Sequence, residues 1–220
     1  MQSYWDMHDG THEDDDEDDG DLLGLSLLSW RPCRRFVVGL DLGQAQDFTA
    51  VAVVHRSAGR DGAVQVPHLE RFPLGTPYPT IVGRMAQLLA APPLREQASL
   101  VVDRTGVGGA VVDLLAEAHL SPIAITITGG DKVHRDSKTR YSVPKRELVG
   151  CLQVLLQTGR MKIARALPEA ELLVKELLAF QVKITSTAHD TYGAWREGAH
   201  DDLVLAVALA CWYGEQGGRR

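Results

Sequence analysis

The stretch VVGLDLGQAQDFTAVAVV, residues 37–54, decides the fold that we predict for this chain. Two apolar runs, rich in β-branched residues, flank the turn-rich segment GQAQD, which is the pattern of two strands joined as a hairpin. The first run ends on Asp41, between Leu40 and Leu42. A lone carboxylate is costly to bury in a strand, so this residue is the first candidate for a functional role.

Outward from this hairpin, the apolar periodicity indicates strands alternating with helices. The predicted strands are 36–42, 48–56, 63–72, 99–105, 122–128 and 161–164. The predicted helices are 80–90, 106–120, 144–159, 167–182 and one that starts at Asp201. Residues 129–143 are expected to form a polar, basic loop, and 183–187 with 192–197 a second hairpin. Three strands in an antiparallel start, followed by alternating strands and helices, predict an α/β domain with a mixed sheet flanked by helices.

Charge is distributed unevenly along the 220 residues. Residues 1–30 hold ten of the 29 acidic residues and no Lys or Arg, so 31–220 carry 19 acidic against 23 basic residues. We interpret 1–30 as an acidic disordered tail and 31–220 as one folded domain. A body of slightly positive charge is compatible with a polyanionic partner.

Cysteines and hydropathy exclude several classes of protein. Cys33, Cys151 and Cys211 are widely spaced and odd in number, which favours reduced thiols over disulfides or a zinc site. No apolar run is long enough to span a membrane, and the acidic start is unlike a signal peptide. We therefore expect a soluble, cytoplasmic protein with no membrane partner.

Five aspartates stand where apolar elements begin or end. They are Asp41, Asp47, Asp103, Asp201 and Asp202. Because the carboxyl ends of strands and the starts of helices meet at one edge of an α/β sheet, these side chains are expected to converge there. Carboxylates without imidazole or thiolate partners suit Mg²⁺ or Mn²⁺, and two such ions would promote phosphodiester hydrolysis.

Individually, several of these residues also have simpler explanations. Asp201 is a good helix N-cap, Asp202 suits the first turn of a helix, and Asp47 could stabilise a hairpin turn. The glycine-rich 105–109 either brings N–H groups toward a phosphate or only connects a strand to a helix. The basic cluster near the predicted loop either tracks a nucleic-acid backbone or is a solvated loop. Its members are Lys132, Arg135, Lys138, Arg140, Lys145 and Arg146.

Five segments together resemble the nuclease domain of phage large terminase subunits. In order they are 37–54, 100–115, 143–163, 170–180 and HDDLVLAVALACW at 200–212, spread over about residues 35–213. The resemblance implies a ribonuclease H-like fold and cleavage of double-stranded DNA during viral genome packaging. It also implies that two Mg²⁺ or Mn²⁺ ions bind Asp41, Asp103 and one or both of Asp201 and Asp202, with Asp47 as a further ligand. Lys145 is similar to a family position near the site.

The resemblance further suggests protein partners, because a complete large terminase also has an ATPase domain. No GxxxxGK[ST] loop occurs in this sequence, so the chain is expected to be a separately encoded nuclease part, a remnant in a prophage or a stand-alone nuclease. In the first case a separate packaging ATPase would act with the chain, together with a small terminase or a portal. Other functions remain open at this stage. They are an actin-like or sugar-kinase-like ATP-binding domain, a junction resolvase or transposase core, and a non-catalytic scaffold.

Overall fold

A computed structural model describes most of the chain that follows the acidic segment. The described residues are 35–43, 47–57, 59, 62–186 and 201–217, with the side chains of 180–186 and 217 left out. The acidic segment 1–30, its boundary with the domain, Cys33 and the predicted strand at 192–197 therefore lie outside the described residues.

One mixed sheet of eight strands forms the centre of the described fold. Its strands are β1 (Phe36–Asp41), β2 (Ala50–Arg56), β3 (Val64–Arg71), β4 (Ala98–Asp103), β5 (Ile123–Thr128), β6 (His134–Arg135), β7 (Arg140–Pro144) and β8 (Met161–Ile163). Their order across the sheet is β6-β7-β5-β4-β1-β2-β3-β8. Antiparallel pairing joins β1, β2 and β3, whereas β1, β4, β5 and β7 are parallel neighbours. The carboxyl ends of these four strands therefore lie at one edge of the sheet.

Helices cover both faces of the sheet. They are α1 (Tyr78–Ala90), α2 (Gly108–Glu117), α3 (Lys145–Gln157), α4 (Ala170–Ser186) and α5 (Asp202–Gly217). Alternate strand residues pack on opposite faces, so that Val102 joins the core under α1 and α2 while Val101 joins the core under α3, α4 and α5. The mixed α/β sheet with an antiparallel start is confirmed.

The final helix lies unusually close to the first strand, and a glycine makes this possible. A Cβ on Gly39 would overlap the carbonyl group of Ala206 in α5. Every side chain from Leu203 to Ala210 except that of Leu205 is buried, which explains why this helix is apolar on nearly all sides. The glycine in β1 is therefore the residue that brings α5 against the centre of the sheet.

Two expectations about the chain path were wrong. The predicted loop at 129–143 contains β6 and β7, which form a hairpin at the sheet edge, and β7 adds a parallel strand beside β5. Its polar composition fits its exposure, since both residues of β6 and the first residue of β7 are exposed. The predicted strand at 183–187 is also wrong, because residues 183–186 continue α4 as helix. Among the described residues, no helix is both long and apolar enough to cross a membrane.

Candidate functional site

Asp41 and Asp103 end neighbouring parallel strands and lie side by side. Leu40 pairs with Val102, so the following residues, Asp41 and Asp103, are next in register. The two residues are only 6% and 8% exposed. Since side chains alternate along a strand, both aspartates lie on the same face as Val101, which is the face that α5 covers. The sheet thus places two buried carboxylates next to each other beneath α5.

Asp202 reaches the same place from the last helix. Ala206 of α5 lies against Gly39 of β1. Asp202 precedes Ala206 by four residues, about 6 Å along a helix, and Asp41 follows Gly39 by two, about 6.6 Å along a strand. Both steps lead to the carboxyl edge of the sheet, where Asp202 is 5% exposed. One close backbone contact therefore aligns residues that are far apart in the sequence.

The electrostatics of Asp41 reflect this convergence. Burial raises the pKa of Asp41 well above its ordinary value, and the negative charges of Asp103, Asp202 and Asp201 raise it further, in that order. Only Lys145 acts in the opposite direction among the causes of the shift. Four aspartates from three separated segments therefore share one electrostatic environment. Such an arrangement is unfavourable unless positive charge is supplied.

The two adjacent aspartates at the start of α5 have different surroundings. Asp201 lies just before the helix, and its carboxylate accepts a hydrogen bond from the Lys145 ammonium group, Nζ to Oδ2, at 3.4 Å. Lys145 is the first residue of α3, directly after the carboxyl end of β7. Asp202 is the more deeply buried of the pair and has the larger effect on the pKa of Asp41. Asp202 is thus the better candidate for a direct role beside Asp41.

Backbone contacts hold Asp103 in place. The N–H of Thr105 donates to Asp103 Oδ1 at 2.8 Å, and the Thr105 hydroxyl accepts a hydrogen bond from the N–H of Ile127 at 3.0 Å. Gly106 has a positive φ of 64°, and a Cβ on Gly108 would overlap the Asp103 carbonyl. These glycines therefore have a structural reason to be there, since they allow a tight turn from β4 into α2.

Asp47, the fifth predicted metal ligand, lies at the same edge but is exposed. Its backbone carbonyl packs against Gly43, where a Cβ would overlap it. The Asp47 carboxylate is not among the groups that shift the pKa of Asp41. The structure therefore brings the Asp47 backbone, rather than its charge, close to the end of β1.

Glu176 in α4 is a buried acid near the site that the sequence patterns did not single out. Its Oε2 accepts hydrogen bonds from the N–H groups of Leu203 and Val204, at 3.1 and 3.2 Å. Within the described part of the chain, its other oxygen is buried without a hydrogen-bond partner. The pKa of Glu176 is raised to about 7, mainly by burial and also by the charge of Asp202. In the sequence it resembles any other acid of an amphipathic helix.

The carboxylate oxygens of the site suit a hard divalent cation, although they do not converge on one common position. Across residues 35–186 and 201–217 as described, no three His, Cys, Asp or Glu side chains form a group ready to hold a metal ion. Like charges in a buried place stay apart when no cation lies between them. The nearby donors are carboxylate oxygens, which Mg²⁺ and Mn²⁺ prefer, with neither imidazole nor thiolate among the groups that act on Asp41.

The predicted DNA-binding residues surround the β6–β7 hairpin. Lys132 lies between β5 and β6, Arg135 ends β6, Lys138 lies in the turn, and Arg140 begins β7; all four are exposed. Lys145 differs from them, because it is partly buried and paired with an acid of the site. The first four can therefore meet a ligand in solution, whereas Lys145 belongs to the acidic cluster.

One of these basic residues is in line with the acidic pair. Arg135 pairs with Tyr141, Tyr141 with Ile125, and Ile125 with Asp103, so the four form one row across the sheet. Three strand spacings separate Arg135 from Asp103, which is about 14 Å. The Arg135 guanidinium lies over the ring of Tyr141, 5.5 Å from its centre. A stacked arginine thus flanks the aspartates on the β6 side.

A second arginine flanks them on the other side and was missed by the sequence analysis. Asp41 pairs with Ala50, and Ala50 pairs with Arg71 at the end of β3, about 10 Å from Asp41. Arg71 is half-buried, and its guanidinium lies over the Phe48 ring at 4.0 Å from the centre. The same cation lowers the pKa of Glu176. Isolated in the sequence, Arg71 belongs to no basic cluster, and only the register reveals its position.

Comparisons with known proteins identify the fold. No protein-family model matches the sequence, and no curated protein matches it. The large terminase nuclease from thermophilic phage G20c superposes with a TM-score of 0.52 at 20% identity, over 80% of each chain. The large terminase from thermophilic bacteriophage D6E superposes with a TM-score of 0.52 at 12% identity, over 82% of this chain and 40% of that one.

A third solved structure is the Mn-soaked nuclease domain of human cytomegalovirus terminase, with a TM-score of 0.48 at 14% identity over 90% of this chain and 94% of that one. The chain spans less than half the length of the D6E protein. At these identities the likenesses establish the fold alone: the chain has the ribonuclease H-like fold of the large terminase nucleases, as its sequence predicted.

Proposed function

We propose that this protein is a divalent-metal-dependent endonuclease that cleaves double-stranded DNA in the manner of a terminase nuclease. The observation that carries the proposal is the convergence of Asp41, Asp103 and Asp202 from β1, β4 and α5 at one buried edge of the sheet. Asp201 and Asp47 are further candidate ligands at its rim. The fold shared with large terminase nucleases agrees with this activity.

Two Mg²⁺ or Mn²⁺ ions, when bound, would supply a nucleophile from water at neutral pH and neutralise the charge of the departing 3′ oxygen. The chain contributes positions and charges. Asp41 and Asp103 are held by the strand register, and Asp103 is further fixed by the N–H of Thr105. Lys145 keeps Asp201 at the rim, which limits repulsion among the acids. The apolar first turns of α5 exclude water from one side of the acidic pair.

The DNA backbone would follow the row that runs through both aspartates. Arg71 and Arg135 lie on either side of the acidic pair in the same row, each over an aromatic ring. Arginine forms paired hydrogen bonds to phosphate, and stacking pre-organises the guanidinium for this contact. Six strand spacings separate the two residues, about 29 Å, which is slightly less than one turn of B-form DNA. Lys132, Lys138 and Arg140 would add sequence-independent contacts.

A role in viral genome packaging is the finer part of the proposal. It is supported by the fold and by the resemblance of 200–212 to the terminase motif. A separate packaging ATPase, a small terminase or a portal would be the protein partners, in the cytoplasm of a bacterial host. Pull-down of the chain with such proteins from one phage or prophage would test this part separately.

Plasmid cleavage tests the activity itself. Supercoiled plasmid is incubated with the protein in Mg²⁺, in Mn²⁺ and in EDTA, and nicked and linear products are quantified on gels. We expect products only with metal, and none from Asp41→Asn or Asp103→Asn, while circular dichroism shows both variants folded. Asp113→Asn is the matched control, because Asp113 is an exposed acid on α2.

Two results would refute the proposal. One is cleavage in EDTA at the rate seen with metal. The other is unchanged cleavage by both site variants.

A further inference from the structure

We infer that Glu176 is a positioning residue for the site, one that caps α5 from another helix and thereby directs the adjacent aspartates to different tasks. The inference rests on the proposed metal-dependent activity for its functional readout. Its structural basis is independent of that activity, because it concerns the hydrogen bonds at the start of α5.

The first N–H groups of a helix have no partner within the helix, and the side chain of the residue just before it normally accepts a hydrogen bond from one of them. In α5 that residue is Asp201, which binds Lys145 instead. The N–H groups of Leu203 and Val204 both donate hydrogen bonds to one oxygen of Glu176, at 3.1 and 3.2 Å. The capping hydrogen bonds therefore come not from Asp201 but from a side chain that precedes Leu203 by 27 residues in the chain.

This exchange determines what the two aspartates can do. Because Glu176 satisfies the helix end, Asp201 is available to Lys145, and Asp202 is held where it acts on Asp41. The capping contact comes from α4, so it also fixes the position of the first turn of α5 relative to the body of the domain. A local Ser or Asn cap would satisfy one of these N–H groups without that link.

The choice of a glutamate is unfavourable for stability alone. Glu176 is 6% exposed, lies beside the charge of Asp202, and has one buried oxygen without a hydrogen-bond partner among the described residues. A buried polar atom left in this way calls for an explanation. Only Arg71 supplies nearby positive charge among the groups that act on Glu176. Placement of Asp202 explains why such a residue is present.

The test compares Glu176→Gln with Glu176→Ala. The amide oxygen of Gln can still accept from both N–H groups but carries no charge, whereas Ala removes the cap. Three quantities are measured for each variant. Mn²⁺ affinity is measured by electron paramagnetic resonance, and the unfolding temperature is measured in EDTA. The exchange rates of the Leu203 and Val204 amides are measured by hydrogen–deuterium exchange. Glu171→Ala is the control, since Glu171 is exposed on the same helix.

We expect Glu176→Ala to weaken Mn²⁺ binding by about 10–100-fold, as loss of a residue that orients a ligand typically does. It should also accelerate exchange at Leu203 and Val204. Glu176→Gln should keep the slow exchange of wild type, and its Mn²⁺ affinity should stay within about threefold of wild type. That change is smaller than the loss of about 10–100-fold expected for Glu176→Ala. Glu171→Ala should change neither quantity.

Two outcomes overturn the inference. In one, Glu176→Ala lowers only the unfolding temperature and leaves Mn²⁺ affinity and amide exchange unchanged, so that Glu176 is merely structural. In the other, Gln behaves like Ala, so that charge rather than hydrogen bonding matters. If the wild-type protein binds no Mn²⁺, the proposed function fails, and the exchange data alone decide on the capping role.

Discussion

Replacing Asp41 with Asn should make the metal-free protein more stable while it abolishes cleavage. Asp41 is buried beside Asp103, and the charges of Asp202 and Asp201 add to the repulsion. Asn has nearly the same shape and no charge. Its introduction therefore removes the repulsion without creating a cavity, and the gain in stability is a measure of how strongly the site is strained in the absence of metal.

The strand spacing gives the magnitude. Two like charges on neighbouring strands, about 4.8 Å apart, repel by about 3.5 kcal/mol at an effective dielectric constant of 20. The charges of Asp202 and Asp201 add to this repulsion, whereas uptake of a proton by Asp41 relieves much of it. We therefore expect a gain of about 1–3 kcal/mol, which corresponds to a rise of roughly 3–10 °C in unfolding temperature for a domain of this size.

Thermal and urea unfolding at pH 7 in EDTA and in Mn²⁺ provide the assay. The free energy of unfolding of the wild-type protein should rise by about 2.7 kcal/mol when the free metal concentration is 100 times the dissociation constant. That of the variant should rise little. Metal would thus remove or reverse the difference between the two proteins. Asp113→Asn, at an exposed position, should stay within about 0.5 kcal/mol of wild type in both conditions.

The reasoning is refuted if Asp41→Asn is no more stable than wild type in EDTA. In that case the four carboxylates are not strained by one another. A variant that is stabilised in EDTA but gains as much stability from Mn²⁺ as wild type would support the repulsion among the carboxylates. It would contradict the role of Asp41 as a metal ligand.

Three further predictions concern other parts of the fold. Gly39→Ala should lower the free energy of unfolding, measured with urea, by about 1–3 kcal/mol and remove most of the cleavage activity. The reason is that the added Cβ overlaps the backbone of α5 and pushes the helix away. Arg71→Ala should weaken binding of a DNA duplex and reduce the salt dependence of the binding constant by about one phosphate contact, as measured by fluorescence anisotropy. Glu70 has a pKa lowered from 4.5 to about 2 by a hydrogen bond from His68 and the ion pair with Arg84. It therefore contributes stability above its unfolded pKa that is lost as pH falls from about 4.5 toward 2, and Glu70→Gln should remove this part of the acid sensitivity in urea titrations.

Each of these has a control on the same molecule. Gly83→Ala, at an open and exposed helix position, should gain up to about 1 kcal/mol, and an equal loss at both glycines would contradict the close-contact argument. Lys162→Ala, at the exposed position of β8, should leave DNA affinity less affected than Arg71→Ala. Glu117→Gln, at an exposed position at the end of α2, should keep the wild-type pH profile. If Glu70→Gln also keeps the wild-type pH profile, the ion pair of Glu70 with Arg84 does not contribute to stability above pH 4.5.

The elements with buried faces could be predicted because their signal is local. Apolar runs rich in β-branched residues identified β1 and β2, the run at 63–72 identified β3, and the short apolar runs before Asp103 and after Pro122 identified β4 and β5. The hairpin of β6 and β7 was missed, since its strands bury few side chains and contain no such run. Residues 183–186 contain Ile184 and Thr185, which favour strands, yet they continue α4.

The sequence by itself indicated that Asp41 and Asp103 would lie at one edge of the sheet, because both acids end strands. Their adjacency follows from the pairing of β1 with β4, which only the tertiary structure decided. The sequence also placed a pair of acids at the start of the last helix. Which acid of that pair faces Asp41 was decided only by tertiary structure. With 3.6 residues per turn, adjacent helical positions differ by about 100° in direction, so the answer depends on how α5 is rotated against the sheet. That rotation is set by the contact of Gly39 with Ala206 and by the hydrogen bonds that Glu176 accepts from Leu203 and Val204. It buries Asp202, while Asp201 pairs with Lys145.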